Sequence, residues 1–372
     1  MVKCQVVMDA MEKLAPRRLA ETWDNPGLLV GSPSQEIHRI LVCLDVRPEI
    51  AQRAVQEKFD LIVAHHPLIF HPLKKIRTDL PEGRLLTVLL QGGVAVLAAH
   101  TNLDIAAGGV NDVLAERIGL DHLEPFKVTA QSELVKLAVY VPLKQAEAVR
   151  SAITAAGAGH IGRYSDCTFQ VVGQGTFLPE EGTNPFIGEA GRLARVDEVR
   201  IETIFPVERE GRVLQAMKKA HPYEEPAYDL YPLRNPGREE SLGRVGYLPA
   251  PLPVEDFAAE VKARIGADYV RLVRAGERAV RKVALCSGSG AEFIDKAAIL
   301  GCDAYVTGDV RYHDAQRAAA LGMHVIDAGH FATEQIVVPV LARYLSEALA
   351  KARGGVEVVA DDQARDFFTL IT

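Results

Sequence analysis

Five residues of this chain could together hold metal: His65, His66, Asp104, His330 and Glu334. They supply three imidazoles and two carboxylates. Imidazole suits zinc, iron, nickel or manganese better than calcium, and a carboxylate can bridge two cations. Five ligands suffice for two ions that share carboxylates, and they leave positions open to water, as a catalytic site needs. Two ions about 3.5–4 Å apart can hold a hydroxide and polarise a substrate oxygen at once. Zinc is the first expectation, with iron, manganese or nickel as alternatives. The competing explanation is that these are unrelated polar residues. Neither the His-His-Pro step nor the G-H-x-x-x-E spacing overturns it alone, but their shared placement at strand ends favours metal. His65 and His66 are adjacent, so an extended backbone sends their side chains to opposite sides. They serve one ion only if the chain bends at Pro67; otherwise they face two ions. His100 and His313 remain as catalytic proton donors, or as plain structural hydrogen-bond partners.

The elements that must position these residues read as a regular beat. Residues 39–44, 61–64 and 94–98 are strand-like, and residues 48–58, 83–91 and 110–118 are helix-like. That alternation predicts βαβ units on a mostly parallel sheet, where ligands bind beyond the carboxyl ends of the strands. His65 and His66 stand at one such end, and the next strand runs into H-T-N-L-D. The rhythm changes near residue 128. Strand 134–141, helix 143–156, strands 167–175 and 198–206, helix 208–220 and strand 227–232 follow, the order of a ferredoxin-like unit. After Pro236-Gly237 the α/β beat returns, with strands at 269–273, 282–286, 304–307 and 324–327 and a final helix over 333–350. The spacing of His330 and Glu334 puts both on one helical face. The predicted architecture is a two-lobed α/β core, residues 1–127 and 236–372, interrupted by a ferredoxin-like α+β domain at 128–235.

Composition narrows the function classes. A net charge of −7 with no basic stripe argues against nucleic acid as an obligate partner. Five scattered cysteines without a C-x-x-C read as free thiols of a reducing compartment. The first residues lack the apolar block of a signal peptide, and no run nears the ~18 apolar residues of a membrane span. The expectation is a cytoplasmic protein. Trp23, in a turn-rich loop, is expected as a buried anchor rather than a pocket wall. The His221-Pro222-Tyr223-Glu224-Glu225 stretch is expected as surface charge, and Ser287–Gly290 as a tight turn rather than a phosphate cradle.

Several of these segments form a recognisable set. W-D-N-P-G-L-L-V-G, A-H-H-P-L-I-F, H-T-N-L-D, S-G-S-G, T-G-D-V-R-Y-H-D-A and D-A-G-H-F-A-T-E together resemble the Nif-three-like dinuclear metal centre family, the homologues of type 2 GTP cyclohydrolase I. They cover the core on both sides of the insert. H-P-Y-E-E-P-A-Y-D-L-Y-P-L resembles the insert of longer bacterial members, which is similar to the CutA and PII folds. The resemblance implies the same five ligands, with Asp104 and Glu334 shared between two metals. It also implies a homohexamer built as a trimer of dimers, acting on a small-molecule, nucleotide substrate. The reaction it implies is GTP ring opening, in which a metal-bound hydroxide attacks C8 and formate leaves. Pro26 and Ser287 depart from the pattern, where Val and Gly are expected. Two-metal sites also cleave phosphoesters, so a metallophosphoesterase on a nucleotide or phosphorylated metabolite is the alternative enzyme. A non-catalytic metal-bound adaptor or sensor is the alternative from another class.

Overall fold

Strand Leu61–Ala64 is buried at every residue and lies in parallel register between Arg39–Cys43 and Ala95–Ala98. An unbroken apolar run is what a strand covered on both faces requires. Each fully buried Leu, Ile or Val in it contributes about 1.5–3 kcal/mol. This computed structural model describes residues 1–350, 355–369 and 371. Gly27–Val30 adds an antiparallel edge beside Ala95–Ala98, so half of the segment that reads as a turn-rich loop is strand. Glu357–Ala360 completes the five-stranded sheet on the other side, parallel to Arg39–Cys43.

A second sheet has six strands, in the spatial order Arg271–Val273, His324–Asp327, Ala304–Gly308, Val280–Ser289, Glu239–Leu252 and Asp121–Gln131. Its three central strands are parallel, and Arg271–Val273 and Glu239–Leu252 flank them antiparallel. Each half of the core therefore lends a strand to the other's sheet. Helices Cys4–Leu14, Val110–Ile118, Val254–Ile265 and Val337–Leu349 bury their apolar faces in one cluster. That cluster also takes Val42 and Val63 from the first sheet and Leu285 and Val306 from the second. Helix Val110–Ile118 stops at Gly119, whose φ of 81° is the left-handed cap glycine adopts without strain. The expected final helix is two, His330–Gln335 and Val337–Leu349, and the first begins early enough to include His330. Among the described residues, no helix is long and apolar enough to cross a membrane.

Two compact units divide the chain: Met1–Ala130 with Glu240–Thr372, and Gln131–Glu239. The second holds strands Leu134–Pro142, Phe169–Phe177, Ala194–Pro206 and Tyr228–Leu233 in one antiparallel sheet. Their spatial order is fourth, first, third, second. Helices Ala146–Ala155 and Glu210–Ala220 pack on it through Val149, Ile153, Val213 and Met217. His221, expected on a charged surface, is buried there. Its Nε2 donates to the Tyr140 carbonyl at 2.9 Å, and its Nδ1 accepts the Tyr223 N–H at 3.0 Å. Cys4, Cys43, Cys286 and Cys302 are buried free thiols, and Cys167 is half-buried.

Arg244 joins the parts of the core that carry the site. It donates to Asp112 Oδ1 and the Ser241 carbonyl, both at 2.5 Å, and to the carbonyls of Gly243, Ile105 and Ala106. Helix Thr101–Ile105 is thereby tied to strand Glu239–Leu252. Removing a buried donor leaves its carbonyl acceptors unsatisfied, at about 1–3 kcal/mol each. Arg244→Met is therefore expected to lower the core's unfolding free energy by about 3 kcal/mol in a urea titration; a loss under about 1 kcal/mol would contradict this role.

Candidate metal centre

The chemistry-bearing residues all follow strands. The N–H groups of His65 and His66 still bond to the Cys43 and Leu44 carbonyls, at 3.2 and 2.9 Å, so the ladder runs on past Ala64. Ala95–Ala98 leads through His100 into the short helix Thr101–Ile105, which carries Asp104. His324–Asp327 leads through Gly329 into His330–Gln335, with Glu334 one turn on from His330. Carboxyl edges of both sheets thus feed one cleft, as expected for open α/β sheets.

Three groups of ligand atoms form there: His65, Asp104 and Glu334; His66, His330 and Glu334; and His65, His66 and His100. The first two share Glu334. Its Oε2 lies 3.0 Å from His66 Nε2 and 3.2 Å from His330 Nε2, and its Oε1 lies 3.8 Å from His65 Nε2. Asp104 Oδ1 is 3.6 Å from His65 Nε2. His65 and His66 fall in separate groups around Glu334, and both also stand in the third group. His100 joins them.

Tautomers follow from what each Nδ1 touches. His65 Nδ1 faces the Ala99 carbonyl at 2.9 Å, an acceptor only, so Nδ1 carries the proton and a neutral ring offers a bare Nε2. His66, His100 and His330 face Asp45, Asp24 and Asp309 through Nδ1, each at 2.8 Å. Orientation of a ring by an acceptor on its far nitrogen is the usual arrangement behind a metal-binding imidazole. His65 Nε2 and Glu334 Oε2 are both fully enclosed and make no hydrogen bond. Burying such atoms unpartnered costs about 1–3 kcal/mol each, more when charged. A cation between them removes that cost, and the donor set fits one.

Backbone shape makes the room. At Gly288, φ 61°, a Cβ would come within 2.1 Å of Glu334 Oε1. The Ser287 N–H donates to Asn111 Oδ1 and the Gly288 N–H to Thr333 Oγ1, so these amides are not free to cradle a phosphate. Asn111 Nδ2 donates back to the Asp104 carbonyl at 2.9 Å and holds that helix to the strand end.

Burial works against charge on all these groups, yet the acids prevail at the imidazoles. Burial lowers His66, but the hydrogen bond to Asp45 and the neighbouring Glu334 carboxylate raise it to about 10. His330, opposed by burial and supported by Glu334 and Asp309, is raised to about 9. His65 is raised too, the Asp104 charge outweighing complete burial. Burial pushes Asp104 up, while Glu334 is held well below the carboxylate range by His330, His65 and His66. Asp24, also opposed by burial, is held at about 2 by His100 and Thr101. Without metal, protons supply the positive charge this cluster demands.

His313 is exposed on helix Tyr312–Ala320, with Nδ1 3.4 Å from Gln316 Oε1, and belongs to none of the three groups. Trp23 is not a buried anchor: it is exposed at the edge of the cluster, 6.1 Å from the His100 ring. Asp24, Asp45 and Asp309, which hydrogen-bond these rings, carry no motif that marks them in the sequence. A cavity of about 580 Å³ opens beside His66 and His330 and is also lined by Tyr269, Arg271, Phe331 and Phe367. Another, of about 840 Å³, lies wholly within the inserted unit around Phe177, Glu198 and Tyr223 and holds none of these residues.

The raised imidazoles define a pH window. Their stabilising charge is fully present below the ordinary histidine value of about 6.5 and is lost as pH rises through about 9–10. Metal-free protein should therefore lose melting temperature between pH 7 and 10, while metal-loaded protein should not. Cation binding at pH 7.5 should release roughly two protons per chain. Calorimetry in buffers of different ionisation enthalpy measures this; buffer-independent heats would contradict it.

A match to the family Duf34/NIF3 (NGG1p interacting factor 3) spans residues 2–366. A protein of Halalkalibacterium halodurans named GTP cyclohydrolase 1 type 2 homolog is 44% identical over 367 residues, 99% of this chain and 98% of its own length. One of the same name from Bacillus subtilis is 43% identical over 370 residues, covering 100% of this chain and 99% of that one. The crystal structure of a Bacillus cereus protein related to NIF3 superposes with a TM-score of 0.93 at 41% identity, covering 100% of this chain and 99% of that one. The chain belongs to the Duf34/NIF3 family.

Proposed function

We propose that this protein is a metal-dependent hydrolase that holds two divalent cations, zinc first among the candidates. His65, Asp104 and Glu334 would hold one, and His66, His330 and Glu334 the other. The observation that carries this reading is the pair of ligand groups meeting at one buried carboxylate, with Glu334 Oε1 toward His65 and Oε2 toward His66 and His330. Cations held there would lend Lewis acidity to a substrate oxygen and lower the pKa of a water.

The chain's own residues supply the rest. The Ala99 carbonyl and Asp45, Asp24 and Asp309 fix the rings, so reaction requires no reorientation of them. With Nδ1 held by Asp24, His100 beside His65 and His66 would take a proton from the attacking water on its other nitrogen and then hand that proton to the leaving group. The relatives' shared name directs the substrate toward GTP, whose imidazole ring would be hydrolysed with loss of C8 as formate. Two-metal centres also cleave phosphoesters, and released phosphate in place of formate would mark that chemistry. As part of the same proposal, the inserted unit is a ferredoxin-like module of CutA or PII type, consistent with its strand order. The assembly is a homohexamer in the cytoplasm; a native mass near six chains by light scattering checks it, and a monomer would contradict it.

Glu334→Ala should remove most bound metal, measured by elemental analysis of protein purified without chelator. His100→Asn should keep the metal and slow formate release about a hundredfold or more. Normal metal content in the first variant would remove Glu334 as a ligand. Full turnover in the second would remove His100 as the proton carrier.

A further inference from the structure

An indole 55% exposed adds little to a core, yet the loop carrying Trp23 is held firmly. Asp24 accepts hydrogen bonds from His100 Nδ1, the Thr101 N–H and the Thr101 hydroxyl. Asn25 Nδ2 donates to the Ile69 carbonyl at 2.6 Å, which ties this loop to the one carrying Phe70. Phe70 is itself 39% exposed. The Trp23 and Phe70 ring centroids are 5.8 Å apart, and they lie 6.1 and 6.2 Å from that of His100. His100 in turn lies 5.4 Å from His65 and 5.6 Å from His66. Two accessible aromatic side chains thus stand beside the histidine cluster on anchored loops. Exposed aromatics held together on anchored loops beside a polar cluster are what a ligand-contacting surface presents.

We propose that Trp23 and Phe70 form a stacking platform for a planar heteroaromatic ring of the substrate, setting its reactive edge beside His100. The proposal rests on the hydrolase reading of the cluster and adds the residues that select the substrate. Heteroaromatic rings stack on Trp and Phe through apolar area and complementary quadrupoles, with little dependence on their substituents. The platform lies one side chain away from His65 and His66. The bond that reacts therefore belongs to the ring or its immediate edge, not to the end of a phosphate chain.

Trp23 is the only tryptophan in the chain, so its fluorescence reports on the platform directly. Full-length, metal-loaded protein is titrated with guanosine, GTP and inorganic tripolyphosphate. Saturable quenching is expected with guanosine and GTP, and none with tripolyphosphate. By calorimetry, Trp23→Leu and Phe70→Ala should each bind guanosine about tenfold more weakly. Both should keep wild-type melting temperature and metal content, because the side chains are exposed. No quenching by guanosine at full metal content, quenching by tripolyphosphate alone, or wild-type affinity in both variants would overturn the platform and leave the metal centre standing. A wild-type protein that takes up no metal would instead overturn the reading on which the platform rests.

Discussion

The Glu334 carboxylate is the point on which the site depends. It is buried, ionised, and faced by three imidazoles whose other nitrogens are already committed. A carboxylate in that position needs positive charge nearby, because an isolated buried anion is costly. Protons on His66 and His330 meet the need in the metal-free protein. A divalent cation would meet it better, since it would satisfy lone pairs of Glu334 and of His65 together. A metal ion held by these residues would answer the same electrostatic demand.

Keeping that carboxylate in place involves much of the core. Gly288 has no side chain because Glu334 occupies the space a Cβ would take. Asp309 adopts a φ of 57°, unusual for a residue with a side chain, and sets its carboxylate against His330. Asn111 and Arg244 fasten the helix of Asp104 to the second sheet. The two sheets share one apolar cluster and exchange a strand each, so their carboxyl edges stay together as one rigid frame. A site built on strand ends and first helical turns inherits that rigidity, which preorganisation requires.

Much of this was legible in the residues. His65, His66, Asp104, His330 and Glu334 each follow an apolar, strand-like run, and that placement is a local signal. The orienting acids carry no such signal. Asp45 lies 21 residues before His66, and Asp24 lies 76 before His100. No spacing rule links such pairs, although Asp45 and Asp309 each closely follow a parallel strand. The strand exchange was also invisible, because pairing of Asp121–Gln131 and Glu357–Ala360 with distant strands depends on topology rather than on their own patterns. Trp23 misled for a related reason: a lone indole is usually buried, and only the fold shows that its loop ends at the cluster's edge.

The most direct test is a crystal structure of the zinc-soaked protein with anomalous data collected at the zinc edge. The account predicts two anomalous peaks in each chain, one among His65, Asp104 and Glu334 and one among His66, His330 and Glu334, with the Glu334 carboxylate touching both. Peaks elsewhere on the chain, or a cluster that stays free of metal at saturating zinc, would contradict it.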